Sequence, residues 1–315
     1  MKNYITLFTA IFSIFFLLIG CSTKESEKTS AAPKEKEKKE IVITDFANRK
    51  VTFTKSPQSI ATLSVGDMDI LHALGGNVVG RPSTKLPLSE ELKKAKEIGN
   101  AHQPNFEQIA GLKPELMVAN NGFEKNIPTL EGQGTKVIIS SANSVQDIQK
   151  SIDIYGTVLQ KEGKAKELNN KITEHMKKYE KKSNAKALLV YGAPGTYLAA
   201  LPTSLSGNIL EKTGGKNIAA EFPKVKEYPQ YAQLSTERII EANPEIIFLI
   251  THGDPEGVKK AFEGEMMKNA AWKNLEAVKH NRVVILPPDL FGSNPGTKVT
   301  DAMDFMYKSL QDVRK

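Results

Sequence analysis

Apolar and polar residues alternate along this chain with two different periods, and their order predicts an α/β fold. Residues 41–44 and 51–53 flank Asp45-Phe46-Ala47-Asn48-Arg49 and read as a β-hairpin. Short apolar runs at 59–63, 78–79, 116–119 and 137–140 read as strands, with helical patterns over 66–74 and from Phe106 onward. From Ser144 to Leu159, the residues Val145, Ile148, Ile152, Tyr155 and Leu159 share one helical face. A lysine-rich helix over about 165–182 places Leu168, Ile172, Met176 and Tyr179 at spacings of four, four and three. The pattern then restarts, with a strand at 187–191, a Gly- and Pro-rich turn and a helix at 207–212. A helix from Thr236, strands at 246–250 and 283–286 and a closing helix at 299–310 follow. Alternating strands and helices predict a helix-covered sheet in each of two halves. The helix at 165–182 is the long segment available to join them, a connection that permits modest rocking rather than a wide hinge.

The two halves carry a near-repeat. Phe106-Glu107-Gln108-Ile109 is followed four residues later by Pro114-Glu115-Leu116-Met117, and Thr236-Glu237-Arg238-Ile239 by Pro244-Glu245-Ile246-Ile247. In each copy a glutamate opens a short helix, a proline stops it, and an apolar run continues as a buried strand. Two lobes of related architecture, with a cleft between them, follow from that spacing. A glutamate in a helix's first turn is also what the helix dipole favours, so by itself it is compatible with a merely solvated role.

The N-terminus changes the picture of location. Lys2 precedes an apolar stretch from about Ile5 to Ile19, which is the form of an export signal rather than a membrane span. It ends in Leu18-Ile19-Gly20-Cys21, which resembles the lipobox of bacterial lipoproteins, whose cysteine is acylated. A plain secretory signal with an incidental cysteine is the alternative. Cys21 is the only cysteine, so no internal disulfide forms. Residues 22–40 mix six lysines with five glutamates and hold no large apolar side chain, the composition of a solvated tether. The formal charge of +7 is spread along helix faces without clustered arginines and interleaved aromatics, which argues against a nucleic-acid partner and suits a protein beside anionic lipid.

Five histidines pose the question of chemistry. His72, His175 and His280 read as surface or partly packed residues, His175 as fully solvated among lysines and glutamates. His102, in Gly99-Asn100-Ala101-His102-Gln103-Pro104-Asn105, and His252, in Thr251-His252-Gly253-Asp254-Pro255, lie on turn-rich loops. The second follows a strand, and loops outside the carboxyl ends of strands are where α/β sheets place ligands. Two imidazoles converging across a cleft suit an axially ligated haem iron; two unrelated loop histidines remain the alternative. No His-x-His or Cys-x-x-Cys pair supports a closed zinc site, and no Asp-rich calcium loop occurs. Ser206 lacks the Gly-x-Ser-x-Gly elbow, and Gly192-Ala193-Pro194-Gly195 is not followed by the residues of a phosphate loop. The chain therefore reads as a binding protein and not an enzyme.

Taken together, the Leu-Ile-Gly-Cys pattern, the tether, the hairpin and the two Glu-led helices resemble the substrate-binding lipoproteins of iron-siderophore, cobalamin and haem ABC importers. The resemblance spans essentially the whole mature chain. Within that family the likeness is to the haem-receptor lipoproteins of the iron-regulated surface determinant system. It is carried by Val79-Gly80-Arg81-Pro82-Ser83-Thr84, Glu97-Ile98-Gly99 with Pro104-Asn105, Ala193-Pro194-Gly195-Thr196-Tyr197-Leu198, His252-Gly253-Asp254-Pro255-Glu256 and Trp272-Lys273.

The resemblance implies a class III periplasmic-binding-protein-like fold. Its parts are a signal peptide (1–20), a lipidated Cys21 with tether (21–40), an N-terminal lobe (41–163), an interlobe helix (164–183) and a C-terminal lobe (184–315). It implies a monomer, lipid-anchored on the extracellular face of a Gram-positive cell membrane. One haem b per chain would be taken from cell-surface donor proteins and delivered to a FecCD-type ABC permease. Glu107 and Glu237 map onto the family's permease-docking glutamates. The iron ligands map onto His102 and His252, although the family pattern has methionine at the first position. Two nitrogen donors would favour ferric iron and a lower potential. The propionate contacts map onto Val65, Gly66, Thr84 and Lys85. Of these, Val65 and Gly66 open a helix whose free N–H groups suit a carboxylate, and Lys85 is equally readable as a surface lysine. Tyr197 and Phe291 are candidates for pocket wall or for core. A ferric-siderophore cargo on the same fold is the alternative, with Arg81 and Lys85 as the cations for it.

Overall fold

Two sheets, joined in sequence by two helices, organise the computed structural model of the protein, which describes residues 40–179, 183–193, 196–251, 255–266 and 268–314. The predicted hairpin opens it. Strands β1 (Ile41–Thr44) and β2 (Lys50–Phe53) pair antiparallel, from Ile41 opposite Phe53 to Thr44 opposite Lys50. Asp45 makes the turn, its Oδ1 accepting the Ala47 and Arg49 N–H groups while Asn48 takes the left-handed conformation. The other carboxylate oxygen accepts the Ile139 N–H, so one buried side chain both turns the hairpin and fastens it to the first sheet.

That first sheet is wholly parallel. The chain runs through β3 (Ile60–Thr62), α1 (Val65–Ala73), β4 (Val78–Arg81), α2 (Glu90–Lys94), β5 (Lys96–Glu97), α3 (Phe106–Leu112), β6 (Leu116–Asn120), α4 (Ile127–Gly132) and β7 (Lys136–Ser140). Its strand order is β5-β4-β3-β6-β7. Helices α5 (Val145–Val158) and α6 (Glu162–Met176), the latter extended by a 3₁₀ turn over Lys177–Tyr179, then lead to the second sheet.

The second half contains β8 (Lys186–Ala193), β9 (Thr196–Ala200), α7 (Leu205–Lys212), β10 (Lys216–Asn217), β11 (Tyr231–Gln233), α8 (Thr236–Ala242) and β12 (Ile246–Ile250). It closes with α9 (Pro255–Met266), α10 (Glu276–Lys279), β13 (Val283–Ile285), α11 (Pro288–Phe291) and α12 (Val299–Asp312). Here the order is β11-β9-β8-β12-β13, with β10 also on β8, and β9 and β11 run antiparallel to their neighbours. The sequence pattern does not announce β9 and β11. Both are short and rich in alanine, which has little strand preference of its own.

Each sheet is buried on both faces, so its central strands are apolar throughout, as covered parallel strands must be. Along β12, Ile246, Phe248 and Ile250 point to one face and Ile247 and Leu249 to the other. The outer faces have their own cores: Ile109, Met117, Val137 and Ile139 in the first half, and Ile239, Phe262, Trp272 and Leu275 in the second. The inner faces share one. Ile152 and Tyr155 of α5 belong to the same buried cluster as Ile209 of α7 and Met303, Met306 and Leu310 of α12.

Polar links add to this apolar seam. The Val145 N–H donates to Asn208 Oδ1 at 3.0 Å, and Tyr179 Oη to Asp304 Oδ1 at 2.8 Å. His175, expected to be solvated, is instead packed between α6 and α12. Its side chain is 16% exposed and Nε2 lies 2.9 Å from Asp304 Oδ2. A lysine-rich neighbourhood in sequence says nothing about which face of α6 meets another helix. No helix among the described residues is long and apolar enough to cross a membrane.

Candidate functional site

Parallel pairing brings the carboxyl ends of β3 to β7 to one edge of the first sheet, so the loops that follow them are neighbours. After β3, Ser64 caps α1 by accepting the Asp67 N–H. Val65 is half-buried and Gly66 buried at the first turn, where backbone N–H groups lack helical partners. Beneath them Asp67 is enclosed. It accepts hydrogen bonds from Ser140 Oγ (2.7 Å) at the end of β7 and from Tyr155 Oη (2.8 Å) on α5. Burial pushes its carboxyl above the usual value of 3.8, and the hydroxyl donors pull the other way. The network holds the start of α1 against both β7 and α5.

The second half reaches this same turn. Asp69 Oδ2 accepts both the backbone N–H (2.7 Å) and the hydroxyl (2.6 Å) of Thr297. A Cβ on Gly66 would overlap Asn294, and one on Gly296, which sits at φ +62°, would lie 2.6 Å from Asp69 Oδ2. Glycine at both positions is what lets the 294–297 segment lie against α1.

After β4 and β5 come the other loops of the first half. Arg81 Nη1 donates to Glu97 Oε2 at 3.2 Å and Ser83 Oγ to Glu97 Oε1 at 2.6 Å. The Ser83 bond, followed by Arg81, holds the Glu97 carboxyl below its ordinary range. Arg81 is thus committed to a partner rather than open to an anion. Thr84 is half-buried and turns its loop by accepting the Leu86 N–H; Lys85 is exposed and forms no ion pair among the described residues. His102 stands exposed on a loop closed by a bridge between Gly99 and Pro104. Asn100 Oδ1 accepts the N–H groups of His102 and Gln103, and Gly99 takes φ +86° to let the loop close on itself.

The repeated helices α3 and α8 are near-copies in three dimensions. Asn105 caps α3 by accepting the Gln108 N–H, and Ser235 caps α8 by accepting that of Arg238. Lys113 and Asn243, both left-handed, end them. Glu107 and Glu237 occupy the same position, two residues after the cap, and both are exposed.

On the second sheet, Ile250 and Thr251 lead to His252, which with Gly253, Asp254, Pro194 and Gly195 lies outside the described residues, as does Cys21. The two aromatic candidates both pack in cores. Tyr197 packs edge-on to Phe262 of α9 on the outer face, and Phe291 is buried in the shared core against Phe305. Tyr191 and Tyr231 lie on the inner face, with ring centroids 5.0 Å apart. Sequence reading missed them, along with Asp67 and the 294–297 segment. The spacing of Ser64 and Asp67, which is that of a capping box, is the one signal that could have drawn attention to Asp67.

Comparison with known proteins places these features. The sequence profile described as periplasmic binding protein matches residues 60–290. The high-affinity heme uptake system protein IsdE of Staphylococcus aureus is 33% identical over 236 residues, which cover 73% of this chain and 79% of that protein. The crystal structure of S. aureus IsdE complexed with heme superposes with a TM-score of 0.70 and 30% identity, over 81% of this chain and 98% of that one. An ABC transporter substrate-binding protein from Listeria monocytogenes EGD-e gives 0.71 and 29%, over 82% and 100%.

Proposed function

Because the chain belongs to the periplasmic binding protein family, whose members bind substrates for transport rather than transform them, we propose that it is a lipid-anchored haem receptor serving an ABC permease. The observation that carries this reading is the 33% identity to a heme uptake protein across 73% of the chain. Its carboxyl-edge loops supply the matching groups. His102 and His252 ligate the iron of one haem b from opposite sides. The propionates lie at the first turn of α1, at Val65 and Gly66, and against Thr84 and Lys85, where free N–H groups and an exposed ammonium suit carboxylates. Two imidazoles in place of the imidazole and thioether of the related receptors favour ferric iron.

Around the cargo the remaining parts divide the work. Cys21 carries the lipid, and residues 21–40 tether the folded part to the outer face of a Gram-positive membrane. Lobes at 41–163 and 184–315, joined by the segment 164–183 that contains most of α6, enclose the haem as a monomer. Glu107 and Glu237 stand on a FecCD-type permease, and cell-surface proteins supply the haem.

Haemin titrated into the purified protein is expected to give a Soret band that shifts and weakens in His102→Ala and in His252→Ala. A spectrum unaltered by either substitution would refute the ligand assignment. Quenching of the single tryptophan, Trp272, by ferric siderophores but not by haemin would replace the cargo.

A further inference from the structure

On the second sheet's inner face, Tyr191 and Tyr231 pack against the shared core yet stay only half-buried. After β9 the chain turns at Leu201–Ser204, runs through α7 and returns to β10, which pairs with Lys186 and Ala187 at the first residues of β8. Helix α7 therefore covers the lower part of β8, and Tyr191, near the carboxyl end, stands above it. The alternation of β8 fixes its direction. Ala187 and Leu189 lie in the shared core and Leu188 and Val190 in the outer one, so Tyr191 faces inward, toward the first half. Tyr191 also pairs in register with Ile250, the last residue of β12. On β11, Tyr231 faces the same way and tilts 42° to the Tyr191 ring at 5.0 Å. Both rings are half-buried, and Tyr228, 60% exposed, sits at the turn just before Tyr231. Two half-buried aromatic rings and a third exposed one beside them form a surface suited to a flat conjugated molecule.

We propose that Tyr191, Tyr231 and Tyr228 form an aromatic wall that contacts the face of a planar macrocyclic cargo and helps select it. This rests on the haem reading and adds three contact residues to it. Burial, followed by the neighbouring phenol, keeps Tyr191 and Tyr231 neutral, the latter pushed up to about 12. The wall thus offers ring surface and hydroxyls without adding a charge beside the propionates.

Metal-free protoporphyrin IX separates the wall from the axial ligands, because it has no iron to ligate. Tyr191→Ala and Tyr231→Ala are expected to weaken its binding about tenfold each, and Tyr228→Ala less. The outer-face control Tyr197→Phe should bind as wild type does. If Tyr231→Ala does not fold, Tyr228→Ala and Tyr231→Leu carry the test. Protoporphyrin binding within about twofold of wild type in the alanine or leucine variants, with haemin binding still dependent on His102, overturns the wall and leaves the haem reading standing. A wild-type protein that binds neither haemin nor protoporphyrin overturns both.

Discussion

The two halves of the molecule agree where they face outward at α3 and α8 and disagree at the loops beside them. Each repeated helix has seven residues, a side-chain cap, a left-handed stop and an exposed glutamate two residues past the cap. Around that shared element, the first half offers a helix N-terminus, a lysine and a loop histidine from an all-parallel sheet. The second offers an aromatic inner wall made possible by the antiparallel strands β9 and β11. A duplicated unit that keeps one feature in register and varies its neighbours separates two tasks. On the proposed function, the common feature would serve a contact both halves make alike, and the divergent ones a ligand that is itself asymmetric.

The sharpest way to break that division is to remove the common feature. Glu107→Ala combined with Glu237→Ala is expected to abolish cellular haem uptake while haemin affinity of the purified protein stays at the wild-type value. Loss of haemin binding in that double variant would show that the glutamates and the cargo loops are not separate.

A smaller but still large effect is expected at the seam. Gly66→Val puts branched bulk where Asn294 of the other half lies, and overpacking of this kind costs about 1–3 kcal/mol or more. Urea unfolding should show the midpoint falling and cargo affinity falling with it. Gly111→Val, whose Cβ meets nothing within 4 Å, is the control for helix propensity alone. If the two variants behave alike, the contact between α1 and the 294–297 segment contributes nothing.

The smallest effect is a pH dependence confined to the first half. Burial raises the Asp67 carboxyl above its ordinary 3.8, so the unfolded chain loses that proton before the folded protein does. Its contribution to stability is then complete below about pH 3.8 and declines as pH rises through the elevated folded value. Asp67→Asn should flatten this decline in denaturation midpoints measured from acidic to neutral pH. A wild-type slope that persists in the variant would assign the dependence to other groups.

Much of the architecture was legible along the chain, because burial on both faces writes long apolar runs and helix stops need proline or a left-handed residue. Strands β6 and β12, the hairpin and helices α5 and α12 stand where their patterns place them. Faces were harder to read than elements. Tyr197 and Tyr191 are six residues apart on paired strands, and only the register of β8 with β9 sends one outward and the other inward. His175 shows the same limit, since its charged neighbours in sequence are not its neighbours in space.

What the sequence determined by itself was local: which stretches are strand or helix, where caps and stops fall, and that Glu107 and Glu237 recur in the same setting. These follow from short-range sterics, hydrogen bonding and periodic burial. The tertiary structure alone decided that the inner faces of the two sheets share one core, that Asp69 meets Thr297, and that Asp67 is sealed against Ser140 and Tyr155. Those contacts join residues as far as 228 positions apart. No local preference encodes such a pairing. It is set by the way two twisted, helix-covered sheets fill the space between them.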